Sequence, residues 1–201
     1  MKHAGALGWA DVGTGEAALV ERCAAGEQSA CAELVAGHER MVFQLAFHML
    51  GDRDEALDLS QDVFLNVFRT IHKFRGQSAL KTWIYRIVIN HARNRQRWWR
   101  RRHKADQVSL DAHMEAHGEL RQVGDETSPD RALARKQLAE RLWNALDELP
   151  FDQRTVIVLR EIEGMSYEEI AYSSGVAVGT VKSRLTRARQ TLRRQLQEVR
   201  A

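Results

Sequence analysis

The side chains best suited to chemistry fall into three rows, two basic and one acidic. Between about Ala79 and Arg102, Trp83, Arg86, Asn90, Arg93, Asn94 and Arg97 recur at three- and four-residue spacings, so a helix gathers them in one stripe. An indole can stack on a base, carboxamides can pair with base edges and guanidinium groups can hold phosphates, a combination that suits unpaired nucleic acid. Residues 93 to 104 extend the row with seven Lys or Arg and no acid around Trp98 and Trp99. A single helical aromatic such as Trp83 is more often a packed core residue. It is the aromatic, amide and cation in one row that point to bases.

The second basic row lies near the C-terminus. Val178, Val181, Leu185, Ala188 and Leu192 mark one buried face of a helix, which leaves Gly179, Thr180, Lys182, Ser183, Thr186, Arg187 and Gln190 on the other. From Val178 to the end seven Lys or Arg face one acid, Glu198, so phosphates are the natural partner. Upstream, Ser166 and Glu169 have the spacing of a capping box, Met165 can pack on Ile170, and Gly175 supplies a turn. Two helices around such a turn form a helix-turn-helix, whose second helix presents its first turns to the major groove.

The acidic row is Asp54, Glu55, Asp58, Gln61 and Asp62, set opposite the apolar stripe Ala56, Val63, Phe64, Val67 and Ile71. DNA is repelled from such a face. A solvated surface accounts for it, and so does a protein partner with a basic surface.

The elements that position these rows are helical throughout, and the chain is read as all-α. Two small helical domains are joined by a flexible acidic linker, the second containing the helix-turn-helix. Residues 1–15, with four glycines and no periodicity, form a flexible tail. Residues 16–104 form the first domain: helix from Glu16, breaks at Gly26 and Gly37, an apolar helix from Met41 to Leu50, an Asp52 cap, and a long helix to about Lys73. The loop Phe74 to Ser78 follows, with Ser78 capping the basic helix. Residues 105–128 carry six acids against one Arg and read as the linker. Residues 129–201 form the second domain, opened by Ser128-Pro129 and restarted at Pro150.

With 201 residues and a net charge of +3, the chain is large enough for two such domains. It has no apolar run long enough to span a bilayer and no signal-like N-terminal core, which implies no membrane insertion and a cytoplasmic location. Two cysteines, Cys23 and Cys31, make no disulfide framework. They can be buried together, or pair with His38 or His48 as a metal or redox group, although tight ligand spacing is missing. No metal or cofactor is assigned. Without a Gly-rich phosphate loop or a nucleophile constellation, the reading is not an enzyme.

These residues resemble the bacterial extracytoplasmic-function (ECF, group IV) sigma factors, two-domain subunits that direct RNA polymerase to promoters. The first domain resembles sigma region 2 through Asp58-Leu59-Ser60-Gln61-Asp62-Val63-Phe64, Phe74-Arg75-Gly76, and Thr82-Trp83-Ile84-Tyr85-Arg86-Ile87 with Asn90. The second resembles region 4 through Leu149-Pro150, Leu159-Arg160-Glu161, Gly164 to Ala171, and Val178 to Leu185. The resemblance implies that Asp58, Gln61 and Asp62 dock on core polymerase, whose clamp and flap regions are the partners. Phe74, Arg75, Gly76, Trp83, Arg86, Asn90 and Asn94 would melt and hold the downstream promoter element as a single strand. Gly179, Thr180, Lys182, Ser183, Thr186 and Arg187 would read the upstream element as duplex. The linker would thread near the polymerase active centre, with no middle sigma domain between the two. No further domain is expected after Gln197, so regulation is expected from an anti-sigma factor.

The turn departs from the family at Ser174, where an apolar residue is usual before Gly, and near Ala177, where Pro is usual. The departure implies looser packing of the turn. A stand-alone helix-turn-helix transcriptional regulator is the alternative; it would share residues 165 to 196 but ordinarily carry a receiver or effector domain with strand alternation, and none is visible. An RNA-binding regulator could use the Trp-rich basic end but has no need of a duplex-reading helix.

Overall fold

The computed structural model describes residues 14–103, 138 and 141–198. Most of the N-terminal tail, the acidic linker and the Ser128-Pro129 helix start lie outside the described residues. Among the described residues every regular element is helical.

The first domain is built from α1 (Thr14–Ala24), α2 (Gln28–Leu50), α3 (Arg53–Thr70), a 3₁₀ turn (Ile71–Lys73) and α4 (Leu80–His103). Gly26 and Gly51 take positive φ at the ends of α1 and α2, where a side chain would be strained. Gly37 does not break the chain as its type suggests: α2 runs through it for 23 residues. Interior glycine costs about 1 kcal/mol, which the burial of Leu34, Val42, Leu45, Ala46 and Met49 on the same helix outweighs. Asp52 caps α3, its carboxylate accepting from the Glu55 N–H at 2.8 Å. The stripe of Ala56, Leu59, Val63, Phe64 and Val67 is buried against α2 and α4.

The start of α4 differs from the expected cap. Ser78 is buried and its hydroxyl donates to the Ala79 carbonyl at 3.2 Å, while the Leu80 N–H donates to the carboxylate of Glu16 on α1. A distant helix therefore satisfies the donor that a local serine was expected to take. Further along α4, the half-buried His91 accepts from the Asn66 amide of α3 at 3.0 Å, and burial holds its pKa below the usual imidazole range. A neutral ring can accept in this way.

The second domain comprises helical residues 141–147 (α5), α6 (Phe151–Ile157) widening into a π turn at Val158–Ile162, α7 (Tyr167–Ser174) and α8 (Val178–Glu198). Buried Arg154 joins the domains, pairing with Asp147 at 2.9 Å and donating to the Met49 carbonyl at 3.3 Å. More extensively, α7 lies along α4. There the Ser173 hydroxyl donates to the Thr82 carbonyl, the Thr82 hydroxyl to Glu169, and the buried Tyr85 hydroxyl to Glu163. One apolar core runs through both domains.

Candidate nucleic-acid interface

On α4 the structure divides the expected stripe. Arg86, Asn90, Asn94 and Arg97 are exposed in a row along the helix, at spacings of four, four and three. Trp83, at its inner end, is half-buried with its ring 5.4 Å from that of Phe74. Phe74 itself is only 5% exposed, and Gly76, buried, turns the loop with φ of 65°. Phe74 therefore supports the indole from behind rather than offering its own face to a base. Arg75 remains exposed between them.

Beyond the row, Trp98 is 48% exposed and the Arg102 guanidinium lies 4.6 Å from its ring. Arg93, read as part of the stripe, is instead drawn to the other domain, 3.4 Å from Asp152 and over the Phe151 ring. Arg86 also leans that way, its guanidinium 5.3 Å from the Tyr172 ring of α7.

The helix-turn-helix forms as its residue types require. Ser166 and Glu169 make both halves of the capping box. Burial works against the Glu169 carboxylate, but hydrogen bonds from the Ser166 backbone and hydroxyl, helped by Thr82, hold its pKa below the usual range. The C-terminus of α7 closes with Gly175 at φ of 68°, its N–H on the Tyr172 carbonyl and the Val176 N–H on that of Ala171. Two successive backbone N–H groups of the turn are thus hydrogen-bonded to the end of α7. The departure at Ser174 is felt differently: among the described residues its hydroxyl is buried without a hydrogen-bond partner.

On α8, Val181, Leu185, Ala188 and Leu192 are buried as the periodicity predicts, and Val178 is half-buried. Gly179, Lys182, Ser183, Thr186 and Arg187 are exposed, with Thr180 half-buried at the edge. The Ser183 and Thr186 hydroxyls donate to the Thr180 and Lys182 carbonyls, which parks them against the helix until another acceptor is offered. A Cβ added at Gly179 meets nothing within 4 Å, so the protein itself has no steric need of glycine there. Room for a close backbone approach from outside is what glycine leaves.

On α3, Asp58, Gln61 and Asp62 are exposed, with Asp62 3.9 Å and Glu55 2.9 Å from Arg95 of α4. The arginine thus lies between two acids of the row, while Asp58 and Gln61 remain exposed.

Comparison with known proteins separates the readings of these surfaces. Residues 34–105 match the family described as Sigma-70 region 2, and residues 139–192 match Sigma-70, region 4. The chain is 38% identical to the RNA polymerase sigma-H factor of Pseudomonas aeruginosa over 181 residues, 89% of this chain and 92% of that one. It is 35% identical over the same length to the ECF RNA polymerase sigma-E factor of Escherichia coli strain K12, covering 93% of it. This chain belongs to the ECF sigma factors.

Solved structures share its fold. The Bartonella quintana sigma factor RpoE, in complex with the anti-sigma factor NepR, is 28% identical with a TM-score of 0.66, over 83% of this chain and 96% of that one. CnrH, in complex with the cytosolic domain of CnrY, is 24% identical with a TM-score of 0.63, over 91% and 97% of the two chains.

In this ECF sigma factor the region 2 match holds the acidic row and the α4 row, and the region 4 match holds the helix-turn-helix. Two residues of the acidic face were not singled out by sequence. Leu57 and Leu65 are 44% and 52% exposed on α3, flanking Asp58, Gln61 and Asp62 at helical spacing. They break the apolar periodicity by lying off the buried stripe, and that misplacement was the available signal. Apolar side chains beside acids suit a protein partner better than a purely solvated face.

Proposed function

We propose that this sigma factor binds core RNA polymerase and directs it to promoters, dividing the work among its three surfaces. The α3 face, with Asp58, Gln61, Asp62 and the exposed Leu57 and Leu65, docks on the polymerase clamp, and the second domain contacts the flap. Lys182, Ser183, Thr186 and Arg187 at the start of α8 read the upstream element in its major groove, Gly179 and Thr180 lying against the backbone. Arg75, Trp83, Arg86, Asn90 and Asn94 take the bases of the melted downstream element, on a loop shaped by Phe74 and Gly76.

The observation that carries this reading is the pairing of two unlike nucleic-acid surfaces in one chain: an amide and guanidinium row with an indole at its end, and a groove-fitting helix. A duplex-binding regulator needs only the second. An anti-sigma factor is the regulatory partner proposed, since the Bartonella quintana relative above is held by one. A cytoplasmic site of action follows from these partners, and no described helix is long and apolar enough to cross a membrane.

The deciding experiment mixes the purified chain with bacterial core polymerase and templates drawn from genomic promoters. Transcripts from discrete starts that require the chain support the reading. Duplex binding without core polymerase, and no defined start with it, returns the alternative of a stand-alone regulator.

A further inference from the structure

Cys23, at the end of α1, and Cys31, in the first turn of α2, face each other across the Gly26 turn with their Sγ atoms 3.0 Å apart. They are not disulfide-bonded. Among the described residues no three His, Cys, Asp or Glu side chains gather in a way that could hold a metal ion, so the chemistry open to this pair is its own. Cys23 is only 5% exposed, whereas Cys31 is partly open to solvent. One sulfur is reachable from outside and the second waits directly behind it.

We infer that Cys23 and Cys31 form an oxidation site, in which a hydroperoxide converts the thiol pair to a disulfide that clamps α1 to α2. The Cys31 sulfur attacks the outer peroxide oxygen, the O–O bond breaks, and the alkoxide leaves as alcohol on taking a proton. Cys31 is then a sulfenic acid. The Cys23 sulfur attacks the Cys31 sulfur, the S–O bond breaks, and the hydroxyl leaves as water with the Cys23 proton. The peroxide gains two electrons and each sulfur gives up one. Burial, with the Cys31 thiol beside it, pushes the Cys23 thiol up to about 12, which fits it to the second step rather than the first.

The clamp has a structural destination. Glu16 on α1 accepts the Leu80 N–H at the start of α4, so whatever fixes α1 also fixes the first turn of α4. In the reduced protein the outer face of the α1–α2 turn is held by exposed ion pairs, Arg22 to Glu27 at 2.6 Å and to Glu33 at 3.3 Å. Exposed pairs of this kind restrain weakly. A covalent bond on the inner face would be the firmer tether. This inference is independent of the promoter reading, because it concerns the chemistry of two residues and the mobility of one helix.

The test oxidises the full-length protein with a modest excess of hydroperoxide, alkylates the remaining thiols and digests with trypsin. Both cysteines fall on one tryptic peptide, residues 23 to 40, with Glu27 between them. The expected product is unalkylated, lighter by two hydrogens, and still joined after cleavage at Glu27 by a glutamate-specific protease. A dithiol reductant restores the original mass. Amide exchange in α1 and at Leu80 is expected to slow several-fold in the oxidised protein and not in Cys31→Ser, which keeps the buried cysteine and hence the core.

Separate alkylation of both cysteines, or a sulfinic acid on Cys31 with Cys23 alkylated, would overturn the site. A joined peptide with unchanged exchange would overturn the clamp.

Discussion

Replacing Asn90 with alanine tests the single-strand row at its most informative point. Asn90 is exposed on α4, between Arg86 and Asn94. The change removes an amide from solvent-facing helix and improves helix propensity by up to about 0.7 kcal/mol, so the fold should be unharmed. What is lost is a group able to donate and accept at one unpaired base edge, a pairing worth about 1 to 3 kcal/mol where both bonds form. That corresponds to roughly a 5- to 150-fold slower or less complete opening of a duplex promoter. The assay is reconstituted holoenzyme on a linear promoter, following the chemical reactivity of unpaired thymines over time. On a template with the downstream element already mismatched, the variant should recover most of its activity, because unpairing and unstacking of a few kcal/mol no longer has to be offset by protein contacts. Equal loss on duplex and mismatched templates, or a drop in melting temperature, would show that Asn90 holds the fold rather than the strand.

Four further outcomes are expected. Gly179→Ala should stabilise the free protein by up to about 1 kcal/mol, since nothing lies near the added methyl, yet weaken binding to the upstream duplex; unchanged affinity would show that no DNA backbone approaches there. Ser174→Ala should raise stability by about 1 kcal/mol by removing a buried, unpartnered hydroxyl, and a lower melting temperature would mean the hydroxyl has a water partner. Asp58→Arg with Leu65→Ser should leave the melting temperature within about the range of other surface changes, ±0.5 kcal/mol, while sharply reducing co-purification with core polymerase; full retention would remove α3 from the docking surface. Because the Glu169 carboxyl is held below the usual glutamate value of 4.5, its advantage over Glu169→Gln should be complete above that pH and fade as pH falls through the folded value. A stability gap between the two proteins that stays constant into strong acid would contradict the capping role.

What could be read from the residues was local. The capping box at Ser166 and Glu169, the Gly175 turn and the buried stripe of α8 depend on spacings of three and four, and each forms as those spacings require. The Asp52 cap and the inner face of α3 are legible for the same reason. Contacts between residues far apart in the chain leave no such signature. The Leu80 N–H finds Glu16 rather than Ser78, and the Tyr85 hydroxyl finds Glu163. Burial alone shows that Phe74 stands behind Trp83, which an aromatic in a basic neighbourhood does not disclose. At Gly37 a local rule gave way to packing, since Leu34 before it and Val42, Leu45, Ala46 and Met49 after it are buried on the same helix.

If α4 takes the melted strand as proposed, its packing along α7 links promoter capture to interdomain contact thermodynamically. Arg86 places its guanidinium against Tyr172, and Thr82 turns its hydroxyl toward Glu169, within the helix that carries the row proposed to contact bases. A guanidinium has one position at a time. Any strand that draws Arg86 away weakens the hold of α7 on α4, and the free energy of that coupling is the same read from either side. A ligand that tightens the α4–α7 contact must therefore lower affinity for the strand by the factor with which the strand lowers affinity for that ligand. The two domains form a balance whose position is set by differential affinity alone, with no need for a moving part beyond one side chain and the helix it touches.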